Sequence, residues 1–261
     1  MAIFERAGIQ LFYEIHGEGP AVLLIHGLGS SGLDWEYQLP ALRGYQVISV
    51  DLRGHGRSTR GAKIPISIEL FAQDLAALLE HLGIASAHVV GLSLGGGVAF
   101  QLALDQPARV RSLSIVNSGP HAITNPFLAA LVVGSRLLTI RLAGLPKLGE
   151  KVAGRLFPKP EHAHKKASFI ERFAGNDVDC YRASLKALIG WSVQHRLSEI
   201  TAPVLVLTAD QDYTSVKWKR AYTARLRNAQ LVVVPDSRHA LPMENPEPFN
   251  AALLGFLQAQ P

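Results

Sequence analysis

Two hydrophobic patterns alternate along this chain. Short apolar runs recur at Ile9–Ile15, Ala21–Ile25, Tyr45–Val50, Ala87–Val90, Val110–Val116, Val204–Thr208 and Leu231–Val234. Several end at glycine or aspartate, which punctuate turns. Runs this short, most of them apolar on both faces, suit strands of a parallel sheet covered by helices. Between them lie helical patterns. Ile68–Leu82 sets Leu70, Phe71, Leu75, Leu78, Leu79 and Leu82 at helical spacing, and Gly95–Ala103 reads as a helix of small residues. Ser215–Leu226 and Pro246–Leu257 are further helices, the second with Pro246 and Pro248 in its first turn, where a missing N–H costs little. Strand and helix in alternation predict an α/β fold with a mostly parallel, doubly wound sheet.

One region breaks the alternation. From about Gly119 to Glu199 the pattern is helical, with no convincing strand. We read residues 1–119 and 200–261 as the α/β core and residues 120–199 as a helical cap inserted between two sheet strands. The start of the insertion, Asn125–Leu142, is strongly apolar, with Arg136 and Arg141 inside it. Its later part is rich in Lys and Arg and accounts for the basic excess of the chain, a formal +5 at a sequence pI near 9.4. Such a balance can serve nucleic acid, a membrane surface or anionic substrates. With no zinc-finger spacing and no aromatic RNA-binding motif, nucleic acid is not expected as a partner. The pattern favours a solvated surface over a membrane-bound one. No charge-free run of about 18 apolar residues occurs, so no spanning helix is expected. The first ten residues lack an apolar signal core, and Cys180 is the single cysteine. Both suit a reducing cytoplasm.

The chemistry begins at Gly91-Leu92-Ser93-Leu94-Gly95, a G-x-S-x-G. The bare pattern arises by chance in roughly one chain in eight of this composition, so its setting carries the weight. It follows a strand and opens a helix, as a nucleophile elbow requires. A serine hydroxyl needs a base within hydrogen-bond reach, and the base needs a group to fix its tautomer. His239 lies in the loop after the Leu231–Val234 strand, at the carboxyl end of a strand where open α/β sheets place their sites. The acid should follow Val204–Thr208, which offers Asp210 and Asp212; Asp212, further into the loop, is preferred. Asp236 is a weaker rival because it shares the histidine's loop. Oxyanion donors are expected from the Leu94 N–H, at the positive end of its helix, and the Leu28 N–H, in the loop after Ile25. His26 reads as structural. Neither a metal nor an organic cofactor is called for.

Together these residues resemble the α/β-hydrolase superfamily along nearly the whole chain. His26-Gly27-Leu28-Gly29 resembles its oxyanion loop, Asp51-Leu52-Arg53-Gly54-His55-Gly56-Arg57-Ser58 its D-x-R-G-x-G-x-S segment, and Gly91–Gly95 its elbow. Pro203–Asp212 resembles the acid strand, in which the second aspartate is the triad acid, and Arg238-His239 with Glu244-Asn245-Pro246 the histidine loop. Within the superfamily the chain is similar to small bacterial carboxylesterases and 3-oxoadipate enol-lactonase-like hydrolases. Serine at the elbow departs from dehalogenases and epoxide hydrolases, which carry aspartate there. The resemblance implies a small-molecule ester or lactone substrate cleaved through an acyl-enzyme on Ser93, with Asp212 and His239 completing the triad. Carbon–carbon hydrolases and cofactor-free perhydrolases share that machinery, and a ligand-binding receptor on the same fold is a further alternative. Leu131, Leu138 and Trp191 are the expected lining of the substrate pocket.

Overall fold

The structure, a computed structural model, describes residues 2–61, 63–123 and 125–260. Eight strands form one sheet: β1 (Ala2–Arg6), β2 (Ile9–His16), β3 (Ala21–Ile25), β4 (Gln46–Val50), β5 (Ala87–Leu92), β6 (Val110–Val116), β7 (Val204–Ala209) and β8 (Ala229–Val234). Their order is β1-β2-β4-β3-β5-β6-β7-β8. β1 and β2 pair antiparallel, β2 joins β4 antiparallel, and every later pairing is parallel. The sheet is therefore mostly parallel and doubly wound, as the pattern predicts. β1 is an addition: its alternating burial reflects an edge strand with one wet face.

Eight α-helices complete the fold: α1 (Ile68–His81), α2 (Leu94–Asp105), α3 (Pro126–Leu156), α4 (Ala163–Ala174), α5 (Val178–Ala187), α6 (Val216–Thr223), α7 (Leu241–Glu244) and α8 (Pro246–Gln258). α1 starts at Ser67, whose hydroxyl accepts the Leu70 N–H, and buries Phe71, Leu75, Leu78 and Leu79. One core lies between α1, α2 and one sheet face; a second packs α8, through Phe249, Leu253 and Phe256, on the other. Each parallel strand is thus covered twice, which is why its sequence is apolar on both faces.

Between β6 and β7 run α3, α4 and α5, with a third cluster that joins Val133, Ile140 and Leu148 to Phe169, Phe173 and Tyr181. Two isolated bridges, His121 to Ser192 and Ile123 to Ile189, close the base of this excursion. α3 bends at Gly144, whose φ of 74° leaves the helical region, two residues before Pro146. Within Ala129–Leu156 an 18-residue stretch reaches a mean hydropathy of 1.4, enough by length and composition alone to cross a membrane. One side of the helix is packed in the third cluster.

The D-x-R-G-x-G-x-S segment is a brace. The Asp51 carboxylate accepts the Gly32 and Arg57 N–H groups at 2.7 and 2.8 Å, and the Ser58 hydroxyl donates to the Asp51 carbonyl. Arg53 makes a buried fork on Asp74 at 2.5 and 2.6 Å. His26 accepts the Leu52 N–H at Nε2, which leaves its Nδ1–H to donate to the Gly27 carbonyl at 2.7 Å. These contacts fix the loop after β3 against the loop after β4. His55, beside them, is buried, and burial, then the nearby His26, pushes it down to about 3. The folded protein keeps this ring neutral while the unfolded chain protonates it near 6.5. Stability is complete above pH 6.5 and lost as pH falls towards 3, on the order of 4 kcal/mol from this ring. Urea titrations between pH 7 and pH 4 are expected to show that fall, with a shallower slope for His55→Gln.

Candidate active site

β5 ends in the G-x-S-x-G turn, and α2 starts immediately after it. Ser93 sits at φ 55° and ψ −113°, a strained backbone for any residue with a side chain. The flanking glycines make the turn possible. A Cβ on Gly91 would run into the Gly95 carbonyl, and one on Gly95 into the Ile25 and His26 carbonyls. The turn is held from outside by Ser118, whose hydroxyl donates to the Ser93 carbonyl at 2.6 Å, while Tyr222 donates to the Ser118 carbonyl.

The strained turn lifts the Ser93 hydroxyl towards the loop after β8. His239 Nε2 lies 2.8 Å from Ser93 Oγ, and His239 Nδ1 lies 2.5 Å from Asp212 Oδ1. Three side chains distant in sequence therefore form one hydrogen-bonded line. An ionised Asp212 can only accept, so the imidazole carries its proton on Nδ1 and offers a free lone pair at Nε2 to the serine. Asp210 does something else: it accepts the Ser237 N–H at 3.1 Å and so braces the histidine loop. Asp236 is exposed and pairs with Lys159.

Asp212 is nearly inaccessible and has a second partner. Its Oδ2 accepts from the Lys219 ammonium on α6 and from the Thr214 hydroxyl at 2.9 Å. Burial works against its charge, but the His239 hydrogen bond and charge, followed by Lys219, more than reverse this and hold the carboxyl well below the usual carboxylate range. Lys219 went unnoticed in the sequence because a lysine on a polar helix reads as a surface residue.

Asn117, at the end of β6 with φ 44°, was also missed. Its amide donates to the Arg238 and His239 carbonyls, both at 3.0 Å, and its carbonyl oxygen accepts from the Ala209 N–H and the Thr208 hydroxyl. It ties the acid strand to the histidine loop. Asn117→Ala is expected to lower kcat about tenfold with little change in KM, since a displacement near 1 Å at a reacting group can cost up to ~10² in rate. Steady-state kinetics on a chromogenic ester check this.

Ser93 and His239 open into a cavity of about 280 Å³. Its lining is mostly apolar: Leu28, Leu92 and Ala240 from the core, and Val132, Val152, Leu156 and Phe169 from α3 and α4. The polar side chains of Ser30, Asp34 and Arg136 interrupt this wall. Tyr213 stacks on the His239 ring at 4.3 Å between centroids and also borders the cavity. The Leu28 and Leu94 amides make no backbone hydrogen bond among the described residues, and Leu94 heads the twelve-residue α2.

The three expected lining residues differ in where they stand. Leu131 is 61% exposed and borders a second, more polar cavity of about 390 Å³ that meets the first at Val132, Arg136, Val152 and Tyr213. Leu138 is 56% exposed and borders none of the described cavities. α3 is apolar around most of its circumference, so its periodicity could not show which face turns inward. Trp191 is buried, donates to Gln101 Oε1 at 3.0 Å, and borders a recess of about 160 Å³ that is also lined by Asp212 and shares Ser93, Leu188, Tyr213 and His239 with the first cavity.

The description α/β-hydrolase fold matches residues 20–246, which contain the elbow, both loops and the intervening helices. The chain belongs to the α/β-hydrolase family. Among its α/β-hydrolase relatives is one from Variovorax paradoxus named "Putative carbamate hydrolase RutD", 37% identical over 95% of this chain and 96% of that one. Among solved α/β-hydrolase structures, the enol-lactonase of Burkholderia xenovorans matches with a TM-score of 0.90 at 25% identity, covering 98% of this chain and all of that one. A thermophilic esterase from Thermogutta terrifontis matches with a TM-score of 0.88 at 26% identity, covering 98% and 96%.

Proposed function

We propose that this α/β hydrolase cleaves a carboxylic ester or lactone through an acyl-enzyme on Ser93. The reading rests on one observation: the hydrogen-bonded line from Ser93 through His239 to Asp212 opens directly into an apolar cavity. His239 takes the hydroxyl proton as Ser93 Oγ attacks the acyl carbonyl. Asp212 orients the ring and stabilises its cation. The Leu28 and Leu94 amides hold the oxyanion. His239 returns the proton to the leaving oxygen, then draws one from the water that cleaves the acyl-enzyme. Residues 120–199 act as a cap, whose helices supply the outer wall of the cavity. The substrate is a small molecule, and the proposed location is the cytoplasm.

A second reading changes only the acyl group. The relatives named as carbamate hydrolases favour a carbamate, which would leave a carbamoyl group on Ser93. Intact-mass analysis separates the readings. A fluorophosphonate should add one label, on Ser93. Stoichiometric p-nitrophenyl esters and carbamates should then show which acyl group is taken up and released. A chain that accepts no label at Ser93 overturns both readings.

A further inference from the structure

The cavity beside Ser93 is bordered by a carboxyl that the mechanism does not use. Asp34 lies in the short helical turn Gly32–Trp35 after β3, is 2% exposed, and borders the same cavity as Ser93 and His239. Its Oδ1 is buried and has no hydrogen-bond partner. The nearest cation, Arg172 on α4, stands 3.9 Å away and is shared with Glu36 at 3.3 Å. Arg172 has an unspent atom of its own, the buried Nε. A buried carboxyl left short of a partner is costly, and its persistence at a ligand cavity points to a partner that arrives with the ligand.

We propose that Asp34 is a specificity residue, which receives an uncharged hydrogen-bond donor, a hydroxyl or an amide N–H, on the part of the substrate remote from the cleaved bond. This rests on the acyl-enzyme reading above and narrows its substrate class. The neighbouring guanidinium decides the charge: Arg172 already faces Asp34, so an incoming ammonium would meet a like charge as well as the carboxyl. Burial also pushes the Asp34 carboxyl up, against Arg172 and the Ser30 hydroxyl. A hydroxyl suits either protonation state, because it both donates and accepts. The remaining wall, which includes Phe169, Phe173 and Met243, suits an alkyl chain.

The test uses p-nitrophenyl alkanoates of increasing length, each paired with its ω-hydroxy counterpart. Wild-type protein is expected to prefer the hydroxy ester about tenfold in kcat/KM at the length that reaches Asp34, chiefly through KM. Asp34→Leu should abolish or invert that preference. An identical ratio in both proteins, or no length at which wild type prefers the hydroxyl, overturns the proposal. Should Asp34→Leu not fold, matched alkyl- and hydroxyalkylboronic acids competing on wild type make the same comparison, and equal inhibition at every length is the overturning result. Fluorophosphonate labelling of Ser93 in wild type reads the acyl-enzyme mechanism separately. Labelling with no hydroxyl preference removes the role of Asp34 and leaves the mechanism standing.

Discussion

Ser93→Ala is expected to lower kcat/KM on any accepted ester by roughly 10⁴- to 10⁶-fold while leaving the fold intact. In the proposed mechanism the loss is large because one atom carries the covalent step, and the proposed oxyanion donors and the cavity that remain would supply only residual rate. The fold should survive because the Ser93 hydroxyl has one partner, His239 Nε2, and that ring keeps its Asp212 bond. The bonds that shape the turn go to backbone: Ser118 donates to the Ser93 carbonyl, and the Ser93 N–H donates to the Val116 carbonyl at 3.0 Å. Alanine bears the same φ of 55° at similar strain, so the melting temperature should move by no more than about 2 °C. Turnover near the wild-type rate would mean that another group attacks the substrate.

The contrast between legible and illegible residues follows from which forces leave a local trace. The parallel strands were readable because both faces are buried, so each is a short apolar block between turns. The elbow was readable because close backbone approach demands glycine on both sides of Ser93. β1 was not, since an edge strand carrying Glu5 and Arg6 buries little and its five residues give too short a pattern. α3 was legible as helix, but its inward face was not, because Leu131 and Leu138 are as apolar as Val133 and Ile140. Lys219, Asn117 and Asp34 share a different cause. Each is a polar residue whose meaning depends on a partner or a cavity that is in place only after folding. Ser215, which caps α6, and Asp212, seven residues before Lys219, gave no sign that the lysine turns inward.

The second large effect concerns that lysine. Lys219 and Asp212 have side chains 0% and 1% exposed, so the ammonium is the main countercharge available to the buried carboxylate when His239 is neutral. Lys219→Met keeps the stem and removes the charge, leaving a buried carboxylate with Thr214 and a neutral imidazole. Breaking one side of a buried pair costs about 3 to 5 kcal/mol, and a fall in melting temperature on the order of 10 °C is expected. The pH dependence should change with it. Asp212 has a depressed folded pKa, so its contribution to stability is present above the unfolded value near 3.9 and lost as pH falls below it. Without Lys219 part of that depression goes, so the stability lost on acidification below 3.9 should be smaller and complete at higher pH, and the acid limb of activity should move to higher pH. The double variant Asp212→Asn/Lys219→Met separates the two roles. Removing both charges lifts the desolvation cost, so stability should return most of the way to wild type. Activity should not return, because an amide can present its donor to His239 and favour the wrong tautomer, a change worth roughly 10⁴ in kcat. Melting curves and pH–rate profiles on the wild type and these two variants decide it. If Lys219→Met melts with wild type and keeps its acid limb, the ammonium is not what holds the Asp212 charge in place.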